Sequence, residues 1–315
     1  MKLSILDFGD VGAAAELLVE ADRLGYERYW LGEHHTRWQC ANPMLLGALL
    51  ATISGGIRVG SGGVCLDYHS PYRIAEDARL IEFVLPGRFD LGVTRGLTLR
   101  PELSAALLDG GVADRRDQHQ ARLAELHGCL TGRLPADHPL YRQDLHLEAG
   151  PPMWVLGVSE DTARWAGRHG TGFCFSLHHA PGGRDGRVVV DEYRRAFVPS
   201  PEFAEPAAIV MVSVSWEAEP PAERRSTNIL IVGSAAEAAA GLQATARHCG
   251  VEEIMALVLG VPGRAGLVAR YRALAGEVGM ARRDTAPSAT RPVLGGSVEQ
   301  VPAVRCRAPA SLSAG

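Results

Sequence analysis

The chain has 315 residues, of which 46% are hydrophobic and 22% are charged, and its formal net charge is -4. These values are typical of a globular protein, and they give no electrostatic reason to expect a nucleic acid or an anionic membrane as a partner. The only lysine, Lys2, stands at the start of the chain, where it is badly placed for Schiff-base chemistry.

The spacing of the cysteines and the hydropathy of the chain indicate the cellular compartment of the protein. The six cysteines are scattered without a CxxC pair, so we expect reduced thiols and no structural zinc. No apolar run reaches about 18 residues, the length of a membrane-spanning helix. The first residues lack a signal-peptide cleavage pattern. We therefore expect a cytoplasmic protein.

Short apolar runs alternate with helical patterns along the first half of the chain. The pattern predicts a strand over residues 3–8 and a helix over 11–24 that stops at Gly25. Pro71 suits the first turn of a helix. Further strands are predicted at 28–33, 57–61 and 88–93, and further helices at 42–53, 71–84 and 114–130.

The same alternation continues through the second half of the chain. Strands are predicted at 153–157, 172–176, 208–216 and 254–260. Helices are predicted at 159–169, 188–197, 234–249 and 264–278, with a Pro/Arg loop at 217–225. Strand–helix alternation implies a parallel sheet, and eight such units close a (β/α)8 TIM barrel. A doubly wound open sheet is the alternative.

A change of composition after residue 280 predicts a domain boundary. Residues 1–280 form the predicted barrel domain. Residues 281–315 carry several prolines, few large apolar side chains and no periodicity, so we expect a low-complexity, disordered tail.

Polar residues and glycines gather where the predicted strands end. In a TIM barrel the functional residues occupy these carboxyl ends, so we expect the site there. The residues in question are Asp7, Glu33-His34-His35, Ser61-Gly62-Gly63, Thr94-Arg95-Gly96, Val158-Ser159 and Ser176.

Glu33, His34 and His35 follow the second predicted strand. Adjacent residues of an extended chain point in opposite directions, so the two imidazoles are poorly placed to bind one metal ion, and HExxH spacing is absent. Two interpretations stay open. One histidine acts as an acid or base in the site, or both histidines only form hydrogen bonds at its rim.

Two further segments have the features of ligand sites. Gly62 and Gly63 follow a strand without a dinucleotide fingerprint, so they allow either the close approach of a flat ligand or a tight turn. Ser159 stands at a helix start with Thr162 in the first turn. The exposed N–H groups there suit a phosphate, although a cap alone is also possible.

These segments together resemble the bacterial luciferase-like flavin-dependent monooxygenases over about residues 1–280. The similarity is densest in LGYERYWLGEHH, NPM, IRVGSGGVCLDYHSPYRIAEDARLIEFVLPGRFDLGVTRGL and VLGVSEDTARWAGRHG. The resemblance implies a TIM barrel that binds reduced FMN, which reacts with O2 through a flavin C4a-hydroperoxide. The expected substrate is a small or peptide-like metabolite, and a separate NAD(P)H-dependent flavin reductase supplies the reduced FMN.

The resemblance also implies roles for individual residues. His34 matches a catalytic histidine, His35 is its neighbour, and Glu33 orients the site. The other matches concern the cofactor: Gly62-Gly63 falls on a cis peptide beside the flavin ring, Arg95 lies near the flavin, and Ser159 and Thr162 hold the FMN phosphate.

Several positions depart from the family pattern or stay open. Val158 replaces a glutamate that contacts the flavin, and Thr94 replaces a reactive cysteine, which puts light emission in doubt. The phosphate contact falls on either Arg115 or Arg116. The segment after the seventh strand is short, which predicts a reduced lid, and residues 97–111 and 178–185 are expected at the substrate entrance.

Two other functions are compatible with the resemblance. Related barrels bind deazaflavin F420 and transfer a hydride without oxygen. A non-catalytic flavin-binding partner subunit is the second alternative, although His34, His35 and Arg95 argue against it. By resemblance we expect a homodimer formed through helices near the start of the barrel.

Overall fold

The computed structural model describes residues 1–8, 11–35, 39–96, 101–108, 118–141, 150–180, 182, 184–216, 231–261 and 263–284. Arg115, Arg116, the predicted loop 217–225 and tail residues 285–315 lie outside the described residues. None of the helices in the described ranges is both long and apolar enough to cross a membrane.

Nine parallel strands and nine α-helices are found in the described residues. The strands are β1 (Lys2–Asp7), β2 (Arg28–Leu31), β3 (Arg58–Cys65), β4 (Phe89–Thr94), β5 (Met153–Gly157), β6 (Gly172–Ser176), β7 (Ala208–Ser215), β8 (Ile231–Val232) and β9 (Glu253–Leu259). The helices are α1 (Val11–Leu24), α2 (Pro43–Ala51), α3 (Pro71–Val84), α4 (Pro101–Leu107), α5 (His119–Thr131), α6 (Glu160–Arg168), α7 (Gly186–Ala196), α8 (Ala235–Cys249) and α9 (Arg264–Val278).

Eight of the strands close into a barrel. Consecutive strands pair from β1 to β7, β7 pairs with β9, and β9 pairs with β1. The two-residue β8 pairs only with the end of β7, outside the ring. The TIM barrel prediction is therefore confirmed, and the open doubly wound sheet is wrong.

Two apolar layers hold the barrel together, because alternate residues of each strand face opposite sides. The interior layer consists of strand residues, including Trp30 against Trp154 with ring centroids 5.9 Å apart. The larger layer lies between strands and helices. At the amino-terminal floor, Asp90 accepts hydrogen bonds from Arg58 (2.7 Å), Arg28 (3.1 Å) and Trp154 (3.1 Å). The opposite, carboxyl-terminal end is left for the site.

The second and third strands differ from their predicted ranges. β2 ends at Leu31 rather than residue 33, because its pairing with β3 stops at the Leu31–Ser61 partners. β3 continues to Cys65, so Gly62 and Gly63 lie inside a strand, and the tight-turn interpretation is wrong. The register against β4 shifts between Ser61 and Val64, which accommodates the two glycines.

Some elements have no counterpart in the sequence-based prediction. The helix α4 and the short strand β8 were not predicted, and α5 is described only from His119 onward. Residues 281–284, placed in the predicted tail, contact the barrel. The backbone N of Arg283 donates to Arg23 O (3.0 Å), and its guanidinium pairs with Asp22 (3.7 Å).

Candidate active site

A cavity of about 550 Å³ opens at the carboxyl-terminal end of the barrel. Every strand from β1 to β6 contributes a residue at or just after its end, as the strand-end rule predicts, and β7 contributes Met211 from within the strand. Eight of the nine predicted site residues line it: Glu33, His34, Gly62, Gly63, Arg95, Val158, Ser159 and Thr162. His35 is not among the lining residues.

The buried Glu33 is a hydrogen-bond centre in the cavity wall. Its Oε1 accepts from His35 Nε2 (2.7 Å) and His69 Nε2 (2.8 Å), and its Oε2 accepts from the backbone N of Cys65 (2.7 Å). Because an ionised carboxylate only accepts hydrogen bonds, both imidazoles donate through Nε2. Glu33 therefore links the end of β2 to the end of β3.

His34 and His35 face different surroundings, as expected for adjacent residues. His35 is hydrogen-bonded to Glu33, whereas His34 lines the cavity and makes a T-shaped contact with Phe8, with ring centroids 4.9 Å apart. The backbone N of His34 donates to Cys40 O (2.8 Å). Burial lowers the pKa of His34 by more than a side-chain hydrogen bond with Gln39 raises it. His34 is thus neutral near pH 7 and can accept a proton or share one.

The peptide bond between Gly62 and Gly63 is cis, as the resemblance implies. Neither glycine has room for a side chain. A Cβ on Gly62 would lie 2.8 Å from Trp30 Cβ, and one on Gly63 would lie 3.0 Å from Gly92 O. The wall of the cavity formed by β3 is therefore bare backbone at this point, which suits a planar ligand.

Two hydroxyls meet at the start of α6. Ser159 caps the helix, with its Oγ accepting from Thr162 N (3.2 Å) and lying 2.9 Å from Thr162 Oγ1. Gly157 permits this approach, since a Cβ there would lie 2.5 Å from Thr162 Cγ2. The backbone N–H groups of a helix start, together with two hydroxyls, form a suitable anion site. Arg95, an exposed cation, lies on the same cavity.

Two further histidines line the cavity: His179 belongs to the segment 178–185 that was expected at the substrate entrance, although no role was predicted for it, and His119 was not predicted. His179 lies after β6, in a 3-10 turn over Leu177–His179, and His119 lies at the start of α5 with its Nδ1 2.9 Å from Asp67 Oδ1. The motif Ser176-Leu177-His178-His179 carried a usable signal, since two histidines follow a strand end just as His34 and His35 do. His119 carried no such signal, because its place depends on how α5 packs.

Comparisons with known proteins agree with this architecture. A model of the luciferase-like monooxygenase family matches residues 7–250. The Bacillus subtilis (strain 168) protein YwcH is 36% identical over 228 residues, which is 68% of each chain. The structure of apo-MsnO8 superposes with a TM-score of 0.72 and 28% identity, covering 90% of this chain and 99% of that one.

The fold also recurs in more distant flavoproteins. The oxygenating constituent of 3,6-diketocamphane monooxygenase from Pseudomonas putida, solved in complex with FMN, has a TM-score of 0.65 at 15% identity, covering 88% of this chain and 98% of that one. That likeness concerns the fold alone. With the family model spanning most of the barrel, the chain belongs to the luciferase-like monooxygenase family and is a flavin-dependent monooxygenase.

Proposed function

We propose that the protein uses reduced FMN and O2 to insert one oxygen atom into a small or peptide-like metabolite, the other oxygen leaving as water. One observation carries the proposal: a single cavity joins the bare backbone of Gly62 and Gly63 to the hydroxyl pair of Ser159 and Thr162. A flat ring system that carries a phosphate matches these two surfaces.

The residues present fit FMN. The hydroxyls of Ser159 and Thr162, together with the start of α6, would hold the phosphate, and Arg95 adds a positive charge on the same cavity. Gly62 and Gly63 would lie against the ring. Val158 lines the cavity where the family has a glutamate, so it offers an apolar contact instead.

The protein groups around the ring serve to position it and to handle protons. Reduced FMN, when bound, supplies the electrons that activate O2. His34 faces the cavity in its neutral form and can accept or return a proton there. Glu33 holds the ends of β2 and β3 together and so positions both His34 and the Gly62–Gly63 wall.

The proposal is tested by mixing the protein anaerobically with reduced FMN, admitting O2 and following flavin absorbance in a stopped-flow instrument. We expect reoxidation to be much slower than that of free reduced FMN, with less H2O2 released. The variant His34→Ala should release more H2O2, whereas His248→Gln, at an exposed site on α8, should behave like the parent protein.

Other outcomes identify the alternatives. If reduced FMN is reoxidised at the same rate with and without the protein, and the protein consumes reduced F420 instead, an F420-dependent hydride-transfer enzyme is favoured. Normal flavin binding with no effect of His34→Ala on turnover would favour a non-catalytic partner subunit.

The proposed partners are a flavin reductase and a second copy of this chain. Large exposed apolar side chains on the neighbouring helices α2 and α3 support the homodimer, and they define an α2–α3 surface: Leu45, Leu49, Leu80 and Phe83, with Ile53 just beyond α2. Burying such a surface against its own copy is the usual way a symmetric dimer forms.

A further inference from the structure

The cavity divides between two groups of strands. The residues proposed to hold the cofactor lie on β3 and just after β4 and β5, which are neighbours in the barrel. The opposite wall is formed by Phe8 after β1, His34 after β2, His179 after β6 and Met211 on β7. We call the side formed by these four residues the opposite wall. A cofactor bound on the β3–β5 side leaves the opposite wall free to contact the substrate.

Two histidine pairs on the opposite wall are built alike. After β2, His35 donates to the buried Glu33, 2.7 Å away, while His34 lines the cavity. After β6, His178 is buried and hydrogen-bonded to a serine of β7, while His179 lines the cavity. His35 is held by a carboxylate of its own loop and His178 by a strand of the barrel, and in both pairs the other imidazole faces the cavity.

His179 is held in a defined orientation. Its Nδ1 lies 2.7 Å from Ser176 Oγ at the end of β6, and its Nε2 makes no hydrogen bond within the described part of the chain. Because β2 and β6 are four strands apart in a ring of eight, His34 and His179 approach the cavity from opposite sides. The imidazole of His34 lowers the pKa of His179, so the two rings are near enough for one small molecule to contact both.

The charge on the opposite wall limits what can bind there. The four residues that form this wall carry no formal charge, and both carboxylate oxygens of the neighbouring Glu33 already accept hydrogen bonds from the protein. Burial lowers the pKa of His34 and of His179, so both imidazoles are neutral near pH 7. The wall offers hydrogen bonds and apolar surface but, in these ranges, no cation for a carboxylate or phosphate.

We infer that His34 and His179 form the substrate subsite and bind between them the uncharged polar group of a small, otherwise apolar molecule. Phe8 and Met211 contact its apolar part. The inference rests on the proposed function, because it assigns the β3–β5 side of the cavity to the flavin. Ser176 is a positioning residue that acts through His179.

Two probes of nearly equal size test the charge requirement. The uncharged 4-(methylthio)benzamide and the anionic 4-(methylthio)benzoate are titrated calorimetrically at pH 7.5 into FMN-loaded and flavin-free protein. We expect the benzamide to bind at least tenfold more tightly than the benzoate. FMN affinity is measured separately by fluorescence quenching.

Two substitutions of His179 test its role in binding the benzamide. His179→Ala should weaken benzamide binding at least tenfold without changing FMN affinity, because the flavin lies on the other side of the cavity. His179→Gln keeps a polar atom near the position of Nε2, so its affinity for the benzamide should fall less than that of His179→Ala. His248→Gln is the surface control and should bind both ligands as the parent does.

The results separate the two proposals. The proposed subsite is overturned if the two probes bind equally, if the benzoate binds more tightly, or if neither probe binds. It is also overturned if His179→Ala binds the benzamide as tightly as the parent protein does. Failure to bind FMN overturns the proposed function. If the flavin-free protein still discriminates between the probes in that case, His34 and His179 bind an uncharged group but do not serve a flavin-dependent reaction.

Discussion

The substitution Thr162→Val tests the phosphate site directly. Valine keeps the branched shape but removes Oγ1, and Ser159 Oγ still caps the helix through the backbone N of residue 162, so α6 should keep its fold. A hydrogen bond to a charged group contributes about 1.5–3 kcal/mol. The loss should therefore weaken FMN binding roughly 10- to 150-fold.

Riboflavin, which lacks the phosphate, is the decisive comparison ligand. Fluorescence quenching should show riboflavin affinity changed less than about twofold in Thr162→Val, because only a phosphate contact is removed. Thr245→Val on α8, where the hydroxyl donates to Gly241 O (2.9 Å), serves as the remote control. An equal loss for FMN and riboflavin, or no loss for FMN, would refute the assignment of these hydroxyls to the phosphate.

Three further predictions concern stability and assembly. Burial, with a smaller contribution from His179, lowers the pKa of His178 to about 4, below the unfolded value near 6.5. The contribution of His178 to the free energy of unfolding is therefore fully present above pH 6.5, and about 3 kcal/mol of it is lost as the pH drops to about 4. Urea titrations should show a smaller loss of stability between these pH values for His178→Asn than for the parent protein. An equal loss in both proteins would contradict the lowered pKa of His178. Asp22 accepts three backbone hydrogen bonds, from Gly55, Gly56 and Ile57, so Asp22→Ala should cost about 3 kcal/mol in urea unfolding, while the exposed Asp161→Ala should cost less than about 0.5 kcal/mol. Light scattering should find a dimer that Leu49→Arg or Phe83→Arg converts to monomer, whereas Val188→Arg on α7 leaves it intact; a monomeric parent protein would refute the α2–α3 surface.

Much of the barrel was predictable because its signals are local. Strand–helix alternation, the proline at the start of α3 and the glycine after α1 each act within a few residues. The strand-end rule then brought Glu33, His34, Arg95 and Ser159 onto one cavity, since parallel strands of a barrel share a carboxyl end. Chain order and geometry together were sufficient for that inference.

The missed features depend on contacts between distant segments. β3 runs through Gly62 and Gly63 because β4 pairs on both sides of the register shift, which no local pattern encodes. His69 reaches Glu33 from 36 residues away, and His119 is placed by Asp67 on another element. For the same reason the different roles of His34 and His35 could not be separated until their surroundings were known.

The paired imidazoles after β2 and β6 also limit how these loops can change. After β2 the two side chains point opposite ways along an extended segment, whereas after β6 they lie on successive residues of a 3-10 turn. In both places, inserting or deleting one residue before the pair would turn the tethered histidine away from its partner and the other histidine away from the cavity. Loop length at both places is thus constrained as strictly as residue identity. A directed-evolution library aimed at new substrates should therefore vary the side chains around His34 and His179 and keep the spacing of both loops fixed.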